Sequence, residues 1–170
     1  MSDDDTVTIP ASAERLIEAQ IASALTDVVT PIGLPVRPFR TPGDWPDAVR
    51  AAVPFSGAIV RADYRTALHQ GLSLWEIPVT IAVTVGEEMD PAGSLAATAA
   101  DAVINWTQSI ALQCADLSPI TPTGLAVDGV RPDGGVAQYD PGLGAWTHTI
   151  TITVTVRPAP ATTTQETPNG

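Results

Sequence analysis

Two histidines, one cysteine and nineteen carboxylates are the side chains of this 170-residue sequence that could hold a metal or move a proton. Their spacing assembles no familiar catalytic device. His148 falls in phase with the apolar residues of a predicted strand and reads as a hydrogen-bonded core imidazole rather than a ligand. His69 falls in a predicted hairpin loop, with no His, Cys or Asp at ligand spacing. Asp63, His69 and Ser73 can be written as a triad, but they crowd around one turn, whereas a triad needs three groups converging from a rigid scaffold. Cys114 has no second cysteine to pair with and reads as a small core residue at a helix end. Asp3, Asp4 and Asp5 lack the spacing and glycine of a calcium loop and read as a solvated arm. GxSxG, HExxH and GxGxxG are absent. Every cation is arginine, so a lysine Schiff base, a P-loop lysine and a lysine general base are excluded. Neither catalytic residue, cofactor nor metal is expected.

The charged residues are informative through their distribution instead. Eight arginines face thirteen aspartates and six glutamates, for a net charge of -11 and a pI near 4.2. That balance argues against a surface that coats nucleic acid and against a polybasic membrane anchor. The charge is uneven: residues 1–30 carry -5, residues 31–70 carry +2 and residues 71–170 carry -8. A basic band containing Arg37, Arg40, Arg50, Arg61 and Arg65 thus lies inside an acidic chain, an asymmetry that lets copies of one protein attract face to flank. The competing reading is a solvated arginine-rich strand and loop, since exposed ion pairs contribute little. With Asp63 and Trp45, the band forms the candidate inter-subunit or partner interface. Trp45, in a proline-rich loop, either folds back as a lid on the core or is presented to a partner.

The elements that must position these groups follow from periodicity. Leu16, Ile17, Ile21, Ala24, Leu25 and Val28 recur at helical spacing, with Glu14, Glu18 and Gln20 off the stripe; Ser12 is the N-cap, and Pro31 and Gly33 end the helix near Val29. A proline-rich stretch leaves only a short edge strand in residues 34–39. Residues 58–68 alternate as one strand with Val60, Ala62, Tyr64, Thr66 and Leu68 inward and Arg61, Asp63 and Arg65 outward. After a hairpin loop over residues 69–73, Trp75, Ile77, Val79, Ile81, Val83 and Val85 alternate on a strand in which Pro78 leaves part of one edge without a ladder partner. A second helix is predicted from Ala92 to Cys114, opened by Asp90 and Pro91, with Leu95, Ala99, Ala102, Val103, Trp106 and Ile110 as its apolar stripe. Residues 115–144 read as turn-rich, including the loop RPDGG, with one short strand near residues 125–130. The last strand alternates Trp146, His148, Ile150, Ile152, Val154 and Val156 with five threonines.

The pattern describes an α+β fold: a mixed or mainly antiparallel sheet of four to five strands with two helices on one face. The expected organisation is an acidic arm over residues 1–11, a single domain over 12–157 and a Pro/Thr-rich tail over 158–170, disordered when alone in water. Met1 is followed by no cationic and apolar leader, so soluble synthesis in the cytoplasm is expected.

The helix AERLIEAQIASALTDVV, the strand LWEIPVTIAVTV, the Ala-rich helix and the closing strand WTHTITITVTV, in this order, resemble the tail-terminator proteins of long-tailed bacteriophages over residues 12–157. The segment over residues 41–54 and the loop over 115–144 do not align. The resemblance implies a structural virion protein without enzymatic activity, assembled in the host cytoplasm as a ring, commonly of six copies. Such a ring caps the tail tube, stops its polymerisation and presents the surface on which the DNA-filled head docks. Its implied partners are further copies of itself, the tail-tube protein and head-to-tail connector proteins, with DNA only as passing cargo and no membrane. It carries over no functional residue. The alternatives are a connector, neck or tail-tube protein and, from another class, a small-ligand-binding α+β domain or an enzyme, which would need a pocket of converging polar groups.

Overall fold

In the computed structural model of the chain, residues 11–39, 56–69, 73–112 and 116–159 are described. Arg40, Trp45, Arg50 and Cys114, the acidic arm up to Pro10, the proline-rich segment and the tail beyond Ala159 lie outside these residues, as does the side chain of His69.

Helix α1 spans Ala13–Val29, and the Ser12 side chain accepts the Arg15 N–H as predicted. A 3-10 turn over Thr30–Ile32 and Gly33 then redirect the chain into the short strand β1, Val36–Pro38. Strands β2 (Gly57–Ala62), β3 (Thr66–His69) and β4 (Leu74–Gly86) follow, then helix α2 (Ser94–Leu112), and finally the long hairpin of β5 (Leu125–Asp140) and β6 (Ala145–Pro158). The fold is α+β. Its mixed sheet has six strands, more than expected, in the order β1-β2-β4-β6-β5, with β3 also paired to β4. All pairings are antiparallel except β1 with β2.

Alternation decides which face is buried. Ile77, Val79, Ile81, Val83 and Val85 of β4 are fully buried, and register places Val154, Ile152 and Ile150 of β6 beside the first three. Both helices pack on this face and share one apolar cluster with it. The alanines Ala96, Ala99 and Ala100 let α2 lie close to the sheet. The opposite face carries Thr80, Ala82 and Thr84 of β4, the five threonines of β6 and Ile59 of β2, and among the described residues no helix covers it.

Three expectations are corrected. Residues 58–68 are not one strand: the ladder breaks at residues 63–65, and Tyr64 is 84% exposed instead of inward. Pro78 explains the break. Its carbonyl accepts the Asp63 N–H at 2.8 Å, so its nitrogen faces the same neighbour, where it has no hydrogen to return. The strand near residues 125–130 is not short: β5 runs sixteen residues, and RPDGG is absorbed into it as a bulge between Pro132 and Gly134. The buried stripe of α1 is also rotated from the predicted one, because Glu14 and Glu18 lie inside it, 4% and 1% exposed, whereas Leu16 is only half-buried.

Candidate interface surfaces

Of the predicted basic band, Arg37, Arg61 and Arg65 are described, and they lie at the corner where β1, β2 and the segment after β2 meet α1. Arg61 projects from β2 on the uncovered face, paired in register with Thr80, and Arg37 stands beside it on β1, opposite Ile59. The Arg61 guanidinium holds Asp63 at 2.7 and 2.9 Å and lies 5.5 Å from the centre of the Phe39 ring. Arg65 turns the other way, to a Glu14 oxygen 3.4 Å off, and lies over the Trp75 ring at 4.5 Å. Arg61, Asp63 and Arg65 are thus brought together with Tyr64 exposed between them, but each charged group also has a partner within its own chain. Of the triad that the sequence permits on paper, Asp63 is engaged by Arg61.

Glu14 and Glu18 brace this corner from below, and sequence reasoning missed them. Glu18 accepts the Ala62 N–H at 2.9 Å, and Glu14 accepts the Arg65 N–H at 3.2 Å. Glu18 therefore occupies a donor of β2 beyond the end of β1, on the side away from β4, and Glu14 occupies one in the segment between β2 and β3. Burial pushes the Glu14 carboxyl up, but backbone hydrogen bonds at Glu14 and Arg65, the Arg65 charge and the Ser12 hydroxyl outweigh it and hold the group below its ordinary range. Acids four apart on a helix normally mark a wet face, so pattern alone gives no signal that they point inward.

At the other side of the sheet a second charged group crosses the uncovered face. Arg131 reaches Asp133 at 2.9 Å and Glu76 at 3.3 Å, and the Thr153 hydroxyl donates to Asp133. Burial raises the Asp133 carboxyl, while the Thr153 hydroxyl and Arg131 lower it further, so it lies below its ordinary value. Arg157 holds Asp128 nearby. Between these clusters and the basic corner the uncovered face is neutral, built mainly of threonine hydroxyls and methyls.

The far end of the sheet presents a different surface. The turn after β4 and the β5–β6 turn are tied together by Glu87 N–H to Gly144 O at 2.8 Å and by Tyr139 OH to Glu87 at 2.6 Å. The hydrogen bond to Glu87 raises the Tyr139 phenol above its ordinary value. Between the turns lies an open cleft of about 580 Å³, bordered by Glu87, Glu88, Pro91 and Leu143. Beside it Met89 and Leu143 are 59% and 49% exposed, and Tyr139, its ring 4.8 Å from that of Trp146, is 39% exposed. Asp140 shapes the second turn by accepting the N–H groups of Gly142 and Leu143. The sequence signal was the pair of acidic turns, Gly86-Glu87-Glu88 and Asp140-Pro141-Gly142, which pattern alone could not bring together.

A smaller apolar groove of about 200 Å³ lies between α2 and the β5 bulge, lined by Ile104, Thr107, Pro132 and Ile150 among others. Among the described residues no group of three or more His, Cys, Asp or Glu could hold a metal ion, and no helix is long and apolar enough to cross a membrane. No protein-family model matches the chain, and no curated protein matches it.

Proposed function

We propose that the protein is a structural component of a long-tailed phage virion, a tail terminator that assembles as a ring, with six copies the expected number, on the head-proximal end of the tail tube. There it stops tube polymerisation, offers the docking surface for head-to-tail connector proteins and lets DNA pass through an acidic lumen. The observation that carries this function is the arrangement of one α+β sheet: helices cover one face, a long hairpin forms one edge, and a corner bearing Arg37, Arg61 and Arg65 stands at the opposite edge of an otherwise acidic chain. Opposite charges on different flanks favour a heterologous contact, which closes into a ring when the rotation between copies allows it. A ring with the chain's net charge of -11 per copy repels phosphate, so DNA slides without sticking.

The deciding experiment is to add the purified protein to its cognate tail-tube protein during polymerisation and examine the tubes by electron microscopy. Capped tubes with a ring at one end are expected. Tubes that elongate unchanged and carry no added density would overturn a terminator role, and incorporation along the whole length would favour a tube component instead.

A further inference from the structure

We infer that, in the ring proposed above, the corner carrying Arg61, Tyr64 and Arg65 of one copy seats on the apolar, acid-rimmed cleft between the β4–α2 and β5–β6 turns of the next copy.

The two surfaces lie at diagonally opposite corners of the sheet. Ala62 pairs with Val79 and Thr66 with Glu76, which puts the basic corner toward the Leu74 end of β4, on its β2/β3 side. Gly86 pairs with Ala145, which puts the cleft at the other end of β4, on its β6 side. Made once between two neighbouring copies, a contact between them joins two different surfaces and leaves one of each kind free for further copies. It is head-to-tail, the type that builds rings.

Chemistry selects the partner. Leu143, which lines the cleft, and Met89 and Tyr139, in the turn and the strand that flank it, are large side chains left exposed, a grouping that marks an interaction site when a polar rim surrounds it. The cleft's lining supplies Glu87 and Glu88 and no cation. Arg131 and Arg157 are engaged at the other end of the sheet, by Glu76 and Asp133 and by Asp128. The fitting occupant is therefore an exposed aromatic flanked by arginines, and this chain carries one in Tyr64, 84% exposed between Arg61 and Arg65. Tyrosine and arginine are also the residues most enriched where interfaces concentrate their binding energy. Arg61 and Arg65 keep their internal partners, Asp63 and Glu14, so their side chains are already ordered before association.

The test is a charge swap read by sedimentation velocity and native mass spectrometry of the full chain. Glu88→Arg and Arg61→Glu, made separately and checked for native circular dichroism, each set like charges against each other at every contact. Each is expected to raise the subunit concentration of half-assembly by about tenfold or more. Because every copy carries both halves, the double variant Arg61→Glu/Glu88→Arg is expected to regain assembly. Leu143→Asp, which puts a charge in the apolar seat, is expected to dissociate the ring without rescue. A wild-type ring whose single variants assemble unchanged would overturn this contact and leave the ring standing. A double variant that stays dissociated while folded would likewise overturn the pairing. A wild-type chain that remains monomeric at all concentrations, both alone and with tail-tube protein, would overturn the ring and the contact together.

Discussion

The Glu18 carboxylate accepts the backbone N–H of Ala62 at 2.9 Å, across 44 residues of sequence, and both residues are buried. Among the described residues, strand pairing on this edge of β2 ends at Phe39, whose N–H reaches Val60 O, so the next outward donor of β2 has no strand to meet it. A buried unpaired N–H costs about 1–3 kcal/mol. The helix carboxylate replaces the missing strand, and this fixes the distance between α1 and the sheet edge.

Glu18→Ala leaves that donor unsatisfied, whereas Glu18→Gln keeps an acceptor oxygen. The alanine variant is expected to lose about 1–3 kcal/mol in urea unfolding, with the glutamine variant between it and the wild type. Amide exchange at Ala62 should accelerate in the alanine variant. Identical unfolding midpoints for all three proteins would mean that the bond contributes nothing.

Glu14 gives the same edge a pH dependence. Its carboxyl, ordinarily near 4.5, is lowered in the fold, where burial is outweighed by hydrogen bonds from the backbone and by Arg65. A depressed carboxyl stabilises the fold above its unfolded value, and the contribution disappears as pH falls through the folded one. Glu14→Gln should therefore be less stable than wild type at pH 7, and the difference should shrink as pH falls below about 4.5. Chemical denaturation at a series of pH values between 3 and 7 checks this; a difference independent of pH would exclude the charge as its source.

The alternating runs of β4 and β6 and the helical period of α1 were legible because each element buries one face along its whole length, so burial writes its period into the sequence. β5 was not legible beyond its first residues. Residues 131–139 are exposed, and Pro132, Gly134 and Gly135 look like a loop when the hydrogen-bonding partner β6 is unknown. The inward turn of Glu14 and Glu18 was hidden for a related reason, since only the position of the β2 edge makes a buried carboxylate favourable. Of the candidates named from the pattern, Arg61, Asp63 and Arg65 stand close together in the structure, but the pattern assigns Tyr64 to the core, because the ladder break opposite Pro78 depends on pairing rather than on local sequence.

The β5 bulge predicts a contrast between two glycines of one strand. A Cβ at Gly135 would lie 2.7 Å from the Thr149 carbonyl oxygen, a backbone atom that cannot swing aside, whereas one at Gly129 would meet nothing within 4 Å. Gly135→Ala is expected to cost about 1–3 kcal/mol and to loosen the β5–β6 ladder, while Gly129→Ala should stay within about 0.5 kcal/mol of wild type. Thermal unfolding of the two variants is sufficient, and equal melting temperatures would contradict the close approach.

Gly93, just before α2, stands where a side chain would be strained and crowded at once. Its φ of +72° lies in the left-handed region, and a Cβ there would fall 2.7 and 2.9 Å from the Trp146 ring. Trp146 has little freedom to retreat, since its Nε1 is buried and its ring lies against that of Tyr139, 4.8 Å between centres. Gly93→Ala therefore combines backbone strain with overpacking, together about 2–4 kcal/mol. Gly124→Ala, at a φ of +88° with open space around the added methyl, carries the backbone part alone, about 1–2 kcal/mol. Denaturation should rank Gly93→Ala below Gly124→Ala, and only the first should change the near-ultraviolet circular dichroism of the indole. Equal losses with an unchanged indole signal would show that Trp146 does not rest on Gly93.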